Sequence, residues 1–309
     1  SRLGFGCMGI TAFYGQAMTD ADAVALLKGV YDAGYRHFDT AEIYRFTPGG
    51  SPMQTTEETI YNERQVGNFL KTIPRDSFTV ATKFNPALNP GVDEPTVVKS
   101  FEASLANLQL DYVDLYYLHR CPGTVEELET WMRSAKAIVA SGKAKFIGLS
   151  EVSGAWLRRA HAVHPVAAVQ MEWSLLSRDI EDEVIPVCAE LGVGVVAYSP
   201  LARNILAAPP EVPPTDWRAT NPRYSPENLA KNRELHAKIV AMAEAKQKSA
   251  AQLSLAWLYA KASKLGVTLC AIPGTTKLPH ALDNLGAMDV ALTDAEIGEL
   301  EALGTQVAG

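Results

Sequence analysis

The chain has 309 residues, of which 47% are hydrophobic and 20% are charged, and it carries a formal net charge of −7. This is the composition of an ordinary globular protein, and the acidic balance argues against nucleic acid or an anionic membrane surface as the main partner. Neither a signal peptide nor an apolar run of membrane-spanning length is visible, so we expect no membrane partner.

The first apolar stretch, residues 3–9, contains the spacing G-x-G-x-x-G between Gly4 and Gly9. That spacing is typical of a Rossmann turn, in which the glycines follow a buried strand and open a helix that meets a pyrophosphate. Only three residues precede Gly4, and no helical run of apolar residues begins until after Asp20. We therefore expect that these glycines do not form a Rossmann turn.

Eight short, largely apolar stretches predict β-strands. They cover residues 3–9, 36–41, 78–84, 113–119, 145–150, 167–173, 193–199 and 267–273.

Amphipathic patterns between these stretches predict helices. Thr19 and Asp22 resemble a capping box at the start of the first helix, and Gly34 is placed where that helix would end. The other predicted helices cover residues 97–108, 128–139, 183–191, 228–245, 249–260 and 293–303.

Strands that alternate with helices throughout predict parallel pairing, and eight such units predict an α/β fold, a single (β/α)8 TIM barrel. An open, doubly wound parallel sheet is the alternative. No Pro- or Ser-rich linker divides the chain, so we expect residues 1–309 to form one domain. Two long connections, 45–58 and 202–227, follow strand ends on the side where barrels build active sites, and loops of such length are usually functional or disordered.

The cysteines and histidines are scattered along the chain. The four cysteines show no C-x-x-C spacing, and the six histidines form no H-E-x-x-H motif or Cys/His cluster. We therefore predict a cytoplasmic, reducing location and no metal site. The sequence begins at Ser1 in what looks like the middle of a strand, so we also expect a short native segment before it.

Four polar residues lie at or just beyond predicted strand ends: Asp39, Tyr44, Lys83 and His119. Each alone can be explained structurally, as an ion pair, a loop aromatic or a rim histidine. Together they fit proton donation to a substrate oxygen, because a nearby lysine cation lowers the pKa of a tyrosine, Asp39 can hold that lysine, and His119 can donate to a carbonyl oxygen. A proton donor alone reduces nothing, so this chemistry also needs a hydride-carrying cofactor.

The stretch G-Y-R-H-F-D-T-A-E-I-Y at 34–44, followed by N-E-R-Q-V-G at 62–67, resembles the signature of the aldo-keto reductase family. The resemblance implies NADPH-dependent reduction of aldehydes or ketones, with Tyr44 as the proton donor, Lys83 and Asp39 as the pair that tunes it, and His119 as the residue that orients the carbonyl. It spans the chain through further motifs at 3–9, 82–84, 111–119, 148–150, 168–175, 196–201, 272–277 and 283–287.

The same resemblance implies a dinucleotide that lies extended across the C-terminal mouth of the barrel. The glycines of the first strand would let the backbone pass close to it. The implied contacts are Cys7 and Met8 near the cofactor, Ser150, Glu151 and Gln170 at the carboxamide, Tyr198 against the nicotinamide ring, Ser199, Pro200, Leu201 and Arg203 along the pyrophosphate, and Gly274, Thr275, Thr276, Lys277, His280, Asp283 and Asn284 at the adenosine end. Without the family context, Tyr198 could be core, Gln170 a strand-end amide and Lys277 a solvated charge.

Several features depart from the family pattern. Glu151 stands where many relatives have an amide, and His280 stands where an arginine commonly holds the 2′-phosphate, which leaves Lys277 and the two preceding threonines for that task. We predict NADPH rather than NADH, which stays possible. The loop after Tyr44 is longer than in many relatives, and the tail after residue 303 is too short to cover the pocket, so the substrate cannot be transferred from them.

The substrate is predicted to be an apolar or aromatic small-molecule carbonyl compound. Candidate pocket walls are Phe13, Tyr14, Phe46, Phe84 and Trp217. Two other functions stay open. One is a regulatory module that resembles the channel β-subunits which use this fold to sense a cofactor, and the other is a barrel aldolase with Lys83 as its Schiff base. The oligomeric state is not predicted.

Overall fold

The computed structural model describes residues 3–50, 53–211 and 216–309. Within these ranges we number the strands and helices in chain order. The strands are β1 (Phe5–Gly6), β2 (His37–Asp39), β3 (Arg45–Phe46), β4 (Ile60–Tyr61), β5 (Thr79–Phe84), β6 (Val113–Leu118), β7 (Ala144–Ser150), β8 (Val166–Glu172), β9 (Gly194–Tyr198) and β10 (Leu269–Ala271). The helices are α1 (Asp20–Asp32), α2 (Asn62–Leu70), α3 (Glu94–Leu108), α4 (Val125–Ala140), α5 (Gly154–Val163), α6 (Ile180–Leu191), α7 (Pro226–Glu244), α8 (Ala250–Lys264), α9 (Leu278–Leu285) and α10 (Asp294–Gly304).

Eight strands pair in parallel in the order β1-β2-β5-β6-β7-β8-β9-β10. The two ends of this sheet also meet, because Leu3 forms a parallel bridge with Ala271 and the Gly4 N–H donates to the Ala271 carbonyl at 2.9 Å. The sheet is therefore a closed barrel and not an open, doubly wound sheet. The predicted (β/α)8 fold is confirmed, and each predicted strand overlaps an observed one.

The early glycines allow this closure. A Cβ atom on Gly6 would lie 2.7 Å from the Ile272 carbonyl oxygen, and one on Gly274 would lie 2.5 Å from the Gly6 carbonyl oxygen. Both distances are too short for a side chain, so the first and last strands can approach only as glycine backbones. After β1 the chain enters a short 3-10 turn at Met8–Ile10 instead of an α-helix, which agrees with the rejection of a Rossmann turn.

The predicted helices are present, but shorter elements went unpredicted. The Thr19 hydroxyl accepts from the Asp22 N–H at the start of α1, as its capping pattern suggests. The prediction missed α2, α5 and α9, as well as an antiparallel pair formed by β3 and β4. That pair begins within the predicted loop 45–58, of which residues 51–52 lie outside the described part of the chain. The connection 202–227 contains three short 3-10 turns, and its residues 212–215 also lie outside the described part.

Two layers of apolar side chains surround the strands. Inside the barrel, Ala81, Tyr117, Ala168, Val196 and Ile272 form a small cluster. A larger cluster fills the space between strands and helices. Because the strands are parallel, their C-terminal ends share one mouth. None of the helices in the described ranges is long and apolar enough to cross a membrane.

Candidate active site

A buried ion pair lies at the mouth of the barrel. Lys83 on β5 donates from Nζ to Asp39 Oδ1 at 2.5 Å and to the Thr40 carbonyl at 2.7 Å, and its side chain is fully buried. The second carboxylate oxygen of Asp39 accepts from Gln170 Nε2 at 2.7 Å. Both carboxylate oxygens of Asp39 therefore accept a hydrogen bond. The Lys83 ammonium has three N–H donors, and its two contacts use two of them.

Tyr44 and His119 lie over this pair. The centroid of the Tyr44 ring is 5.1 Å from Lys83 Nζ, and it is 5.6 Å from the His119 ring in an edge-to-face arrangement. Burial and the charges of Lys83 and Arg120 hold the pKa of His119 well below its ordinary value, so this imidazole is neutral at neutral pH. Its Nδ1 atom is buried and has no hydrogen-bond partner among the described residues. The four predicted catalytic residues therefore come together.

The direction of the Tyr44 pKa shift corrects the expectation from sequence. Lysine was expected to lower this pKa, but burial raises it, and the charge of Asp39 raises it further. The physical reason is that Asp39 compensates the ammonium at 2.5 Å, while the hydroxyl pays the full cost of desolvation. Tyr44 consequently keeps its proton at neutral pH.

The loop that carries Tyr44 is held by polar side chains for which the sequence analysis gave no role. Asn62, the first residue of α2, donates its backbone N–H to the Tyr44 carbonyl at 2.9 Å, and its side chain accepts from Thr40 and donates to the Cys7 carbonyl. These contacts give the N-E-R-Q motif a structural function.

Glu42 holds the same loop from the other side. Its carboxylate accepts from Asn89 Nδ2 at 2.9 Å, from the Ser100 hydroxyl at 2.5 Å and from the Asn85 N–H. Asn85 follows directly after β5, so Glu42 ties the Tyr44 loop to the strand that carries Lys83. Burial raises the pKa of Glu42 to about 7.

The residues predicted for the nicotinamide end sit at the ends of β7, β8 and β9. Ser150 is buried at the end of β7, and Glu151 is exposed and adopts a left-handed conformation with φ of 55°. Tyr198 ends β9 half-buried. Gln170 donates to Asp39 instead of facing an open space. The side chain of Cys7 is fully buried in the core, and Met8 packs beside Tyr44. Their closeness to the cofactor, expected through the backbone, stays a prediction.

The predicted pyrophosphate segment is strained and internally paired. Ser199 and Arg203 have φ of 46° and 53°, values that residues other than glycine rarely adopt. The Arg203 guanidinium forms a two-pronged ion pair with Glu172, with contacts of 2.6 and 2.5 Å. Leu201 is half-buried and Pro200 is buried. A ligand phosphate would therefore meet an arginine that already has a carboxylate partner.

The segment after β10 offers an open anion site. No side chain caps the first turn of α9, and Lys277 and His280 are exposed beside it, with Thr275, Thr276 and Gly274 just before. The Thr275 hydroxyl accepts from the Lys277 N–H at 3.1 Å. Pro279 has no N–H, and the N–H groups of Lys277 and His280 already donate to Thr275 and to the Lys277 carbonyl, so the anion site depends mainly on the exposed lysine and the positive end of the helix.

The end of α9 is occupied by structural contacts. The Asp283 carboxylate accepts from the Ser249 hydroxyl at 2.6 Å and from Gln252 Nε2 at 3.0 Å, which ties α9 to α8. Asn284 is buried. The predicted contact of these two residues with the adenosine end of the cofactor stays a prediction.

Three of the five predicted pocket aromatics line the mouth. Phe13 meets Tyr44 edge to face at 6.4 Å between centroids, and Tyr14 meets Trp217 at 5.9 Å. Phe46 is half-buried on β3. The prediction that Phe84 lines the pocket is wrong, because its side chain is fully buried in the core, with its ring centroid 6.5 Å from that of Trp131.

The residues of the site fit an anionic dinucleotide. Across the described ranges, no three His, Cys, Asp or Glu side chains come together as metal ligands would. The uncapped start of α9 with Lys277 fits a phosphate, and the unpartnered Nδ1 of His119 marks a polar group at the mouth that lacks a protein partner.

Comparisons with known proteins identify the family of the chain. Residues 2–305 match the model of the aldo/keto reductase family. The chain is 40% identical to "Probable aldo-keto reductase 1" of Glycine max, over 97% of this chain and 84% of that protein. A thermostable aldo-keto reductase crystallised with the inhibitor epalrestat has a TM-score of 0.76 at 28% identity, with 98% of this chain and 95% of that chain covered. An aldo-keto reductase from Klebsiella pneumoniae in complex with NADPH has a TM-score of 0.75 at 26% identity, with 98% and 90% covered.

Proposed function

The chain belongs to the aldo/keto reductase family, and we propose that it reduces aldehydes or ketones to alcohols with NADPH, using Tyr44 as the proton donor. The observation that carries this proposal is the buried Lys83–Asp39 pair beneath Tyr44 and His119 at one mouth of the barrel. Similar reductases from Klebsiella pneumoniae were crystallised with NADPH or NADP, which supports the same cofactor here.

The four residues divide the proton chemistry between them. When bound, the reduced dinucleotide supplies the hydride to the carbonyl carbon. Tyr44, protonated at neutral pH, gives its hydroxyl proton to the carbonyl oxygen. Lys83 compensates the negative charge that is left on the phenolate, and Asp39 keeps the lysine charged and in place. His119, as a neutral imidazole, donates one N–H to the carbonyl oxygen and fixes its position.

The cofactor would cross the mouth from β7 to α9. Ser150 and Glu151 would hold the carboxamide, and Tyr198 would lie against the nicotinamide ring. Lys277 and the start of α9 would bind the 2′-phosphate, which makes NADPH the preferred donor. The paired Arg203 would have to share its guanidinium between Glu172 and the pyrophosphate.

The substrate would be a small carbonyl compound with an apolar or aromatic body. Phe13, Tyr14 and Trp217 support this, because Phe13 contacts Tyr44, Tyr14 contacts Trp217, and flat apolar surfaces pack well against aromatic faces.

An aldolase mechanism is not favoured. A Schiff base needs an accessible neutral amine, whereas the ammonium of Lys83 is fully buried and hydrogen-bonded to Asp39 and Thr40. Borohydride trapping of a carbonyl compound on Lys83 would support that function against the reductase.

The first test is a titration of the purified protein with NADPH and with NADH, followed through tryptophan fluorescence. We expect quenching by NADPH at lower concentration than by NADH, and then consumption of NADPH when an aldehyde is added. A protein that binds neither dinucleotide would lose its hydride donor, and the reductase proposal would fail. A protein that binds NADPH and reduces no carbonyl compound would instead fit the regulatory module.

A further inference from the structure

Arg120 is a charged residue at the mouth that the proposed mechanism does not use. It follows His119 directly, just beyond the C-terminal end of β6. Its Nη1 donates to the His119 carbonyl at 2.8 Å and lies 3.5 Å from the hydroxyl of Ser150, which ends β7. These contacts hold the guanidinium across the ends of two neighbouring strands, while the residue itself is exposed.

Arg120 has no acidic partner among the described residues, unlike three other cations near this mouth. Lys83 pairs with Asp39, Arg203 with Glu172 and Arg218 with Asp216. Within the described ranges no carboxylate lies within ion-pair distance of Arg120. A guanidinium has five N–H donors, and both contacts of Arg120 use the same nitrogen, so most of its donors stay available.

The charge of Arg120 reaches the groups that would face a substrate. It contributes to the lowered pKa of His119, and it opposes the rise in the pKa of Tyr44 and of Tyr198. The guanidinium therefore lies close to the space that these three side chains border.

The barrel order separates Arg120 from the anion site at α9. In the closed sequence of eight strands, β6 lies four strands from β10 in either direction. Arg120 and Lys277 thus stand on opposite sides of the mouth, and Arg120 is badly placed to hold the phosphate that Lys277 would bind. The anion that pairs with Arg120 must come from a different part of the bound molecules.

We propose that Arg120 binds a carboxylate of the carbonyl substrate, so that aldehydes or ketones carrying a carboxylate are preferred over their neutral counterparts. This inference rests on the proposed reductase function. A guanidinium accepts a carboxylate in two parallel N–H···O bonds, which fixes both the position and the orientation of the molecule. The aromatic rings of Phe13 and Tyr14 would contact the apolar body of the same substrate.

Glu151 is the competing partner for this charge. It is exposed at the end of β7, and together with Arg120 it influences the pKa of Cys121. If Arg120 served only to neutralise Glu151, its removal would also disfavour a carboxylate substrate, because the charge of Glu151 would then repel it. Arg120→Lys separates the two roles: a lysine keeps the neutralising charge and would fully restore the preference, whereas it cannot replace the two parallel N–H···O bonds of a guanidinium.

The test compares 4-carboxybenzaldehyde with its neutral methyl ester, methyl 4-formylbenzoate, in the wild type and in Arg120→Ala. We expect the wild type to prefer the carboxylate, and the variant to lose about 10- to 100-fold in kcat/KM for it, mainly through KM, the size expected for hydrogen bonds between charged groups. The ester should change by less than about 3-fold. Arg120→Lys, which keeps the charge but not the fork of donors, should be intermediate.

Arg133→Ala removes an exposed arginine of α4; it is the matched control and should leave both substrates unaffected. Benzoate should compete with the ester in the wild type and much more weakly in Arg120→Ala. Equal losses for both substrates, or a wild type that prefers the ester, would overturn the role of Arg120 while ester reduction still upholds the reductase function. A wild type that reduces neither compound would overturn both proposals.

Discussion

Tyr44 illustrates how burial and charge act together on one hydroxyl. The sequence suggests a tyrosine whose proton is loosened by a lysine, whereas the structure pairs that lysine with Asp39 and raises the pKa of Tyr44. The expected effect of the lysine and the raised pKa are compatible if the Lys83 ammonium stabilises the Tyr44 phenolate only once that phenolate forms. The proton is then held until a carbonyl oxygen and a hydride are both present.

Replacement of Tyr44 by Phe tests its role as the acid. The ring can keep its edge-to-face contacts with Phe13 and His119, so we expect NADPH binding to stay within about 3-fold of the wild type. Turnover of an aldehyde should fall by about 100- to 10,000-fold, the usual contribution of a general acid. Tyr61→Phe on β4 is the control and should stay active. A Tyr44→Phe enzyme with substantial activity would assign the proton to another group.

Lys277, at the other side of the mouth, is the residue that we expect to distinguish NADPH from NADH. Its side chain is exposed beside the uncapped start of α9, so it can meet the 2′-phosphate that only NADPH carries. Lys277→Ala should raise the Kd for NADPH by about 10-fold or more and change that for NADH by less than about 3-fold. Lys28→Ala, on the exposed face of α1, is the control. Equal weakening of both dinucleotides would show that Lys277 does not distinguish them.

At the scale of elements, the long periodic segments could be predicted and the short polar ones could not. The pattern of apolar residues located the eight strands and helices such as α4, because burial of one face is encoded locally. Helix α2 was not predicted because it buries Asn62, Glu63 and Gln65, residue types that are usually found at the surface. Those side chains are tolerated inside only through hydrogen bonds to distant residues, such as that from Asn62 to the Cys7 carbonyl.

The same limit applies to the site. The motif resemblance located Asp39, Tyr44, Lys83 and His119 in the chain, and the structure brings them together. It could not predict that Gln170 donates to Asp39, or that Arg120 lacks an acidic partner, because both depend on distances between strands. Pairing of side chains is a property of the closed barrel, which sequence spacing does not record.

The contact between α2 and α3 gives a prediction at this scale. A Cβ atom on Gly67 would lie 2.3 Å from the Leu108 carbonyl oxygen, a backbone atom that can move only if α3 moves. Gly67→Ala should therefore lower the free energy of unfolding by about 1 to 3 kcal/mol. Gly298→Ala on α10 is the matched control, because nothing lies near its Cβ position. It should raise stability by about 0.5 to 1 kcal/mol through helix propensity alone.

Urea unfolding of the wild type and both variants measures these differences. If Gly298→Ala were less stable than the wild type, the loss of glycine flexibility, and not a steric clash, would explain the effect of replacing a helical glycine. A Gly67→Ala protein as stable as the wild type would show that α2 can shift away from α3 without cost.

At the scale of the whole molecule, closure of the barrel is what makes a site from residues far apart in the chain. Asp39, Lys83, Ser150 and Tyr198 end or lie near the ends of four different strands, and the parallel arrangement delivers all of them to one mouth. A single domain over residues 1–309 and a cytoplasmic location stay predictions. The stability of the closed barrel should itself depend on pH, because carboxyl groups are buried beneath the mouth.

Glu42 determines whether stability rises or falls with pH. Its ordinary pKa of 4.5 is raised to about 7 in the folded protein, chiefly by burial and against the hydrogen bonds from Ser100 and Asn85. The folded chain therefore keeps a proton that the unfolded chain releases, and stability falls as the pH rises through this window. A shift of this size corresponds to about 3 kcal/mol, fully lost above about pH 7. The charge of Glu63 adds to the rise in the pKa of Glu42, the charge of Lys83 acts on Glu63 in the opposite direction, and the charge of Glu42 raises the pKa of Tyr116.

Glu42→Gln should remove the cost of ionising a buried carboxyl group and keep the hydrogen bonds of this side chain. The glutamine oxygen can accept from the Asn85 N–H and from Asn89, and its amide nitrogen can donate to the Ser100 hydroxyl, which can turn to accept. We expect the variant to match the wild type in urea unfolding near about pH 5 and to exceed it by up to about 3 kcal/mol near about pH 8. Glu58→Gln, an exposed carboxylate in the same loop, should show no such difference between the two pH values. A gap between Glu42→Gln and the wild type that is equal at both pH values would mean that Glu42 is ionised throughout, and that its three hydrogen bonds outweigh its burial.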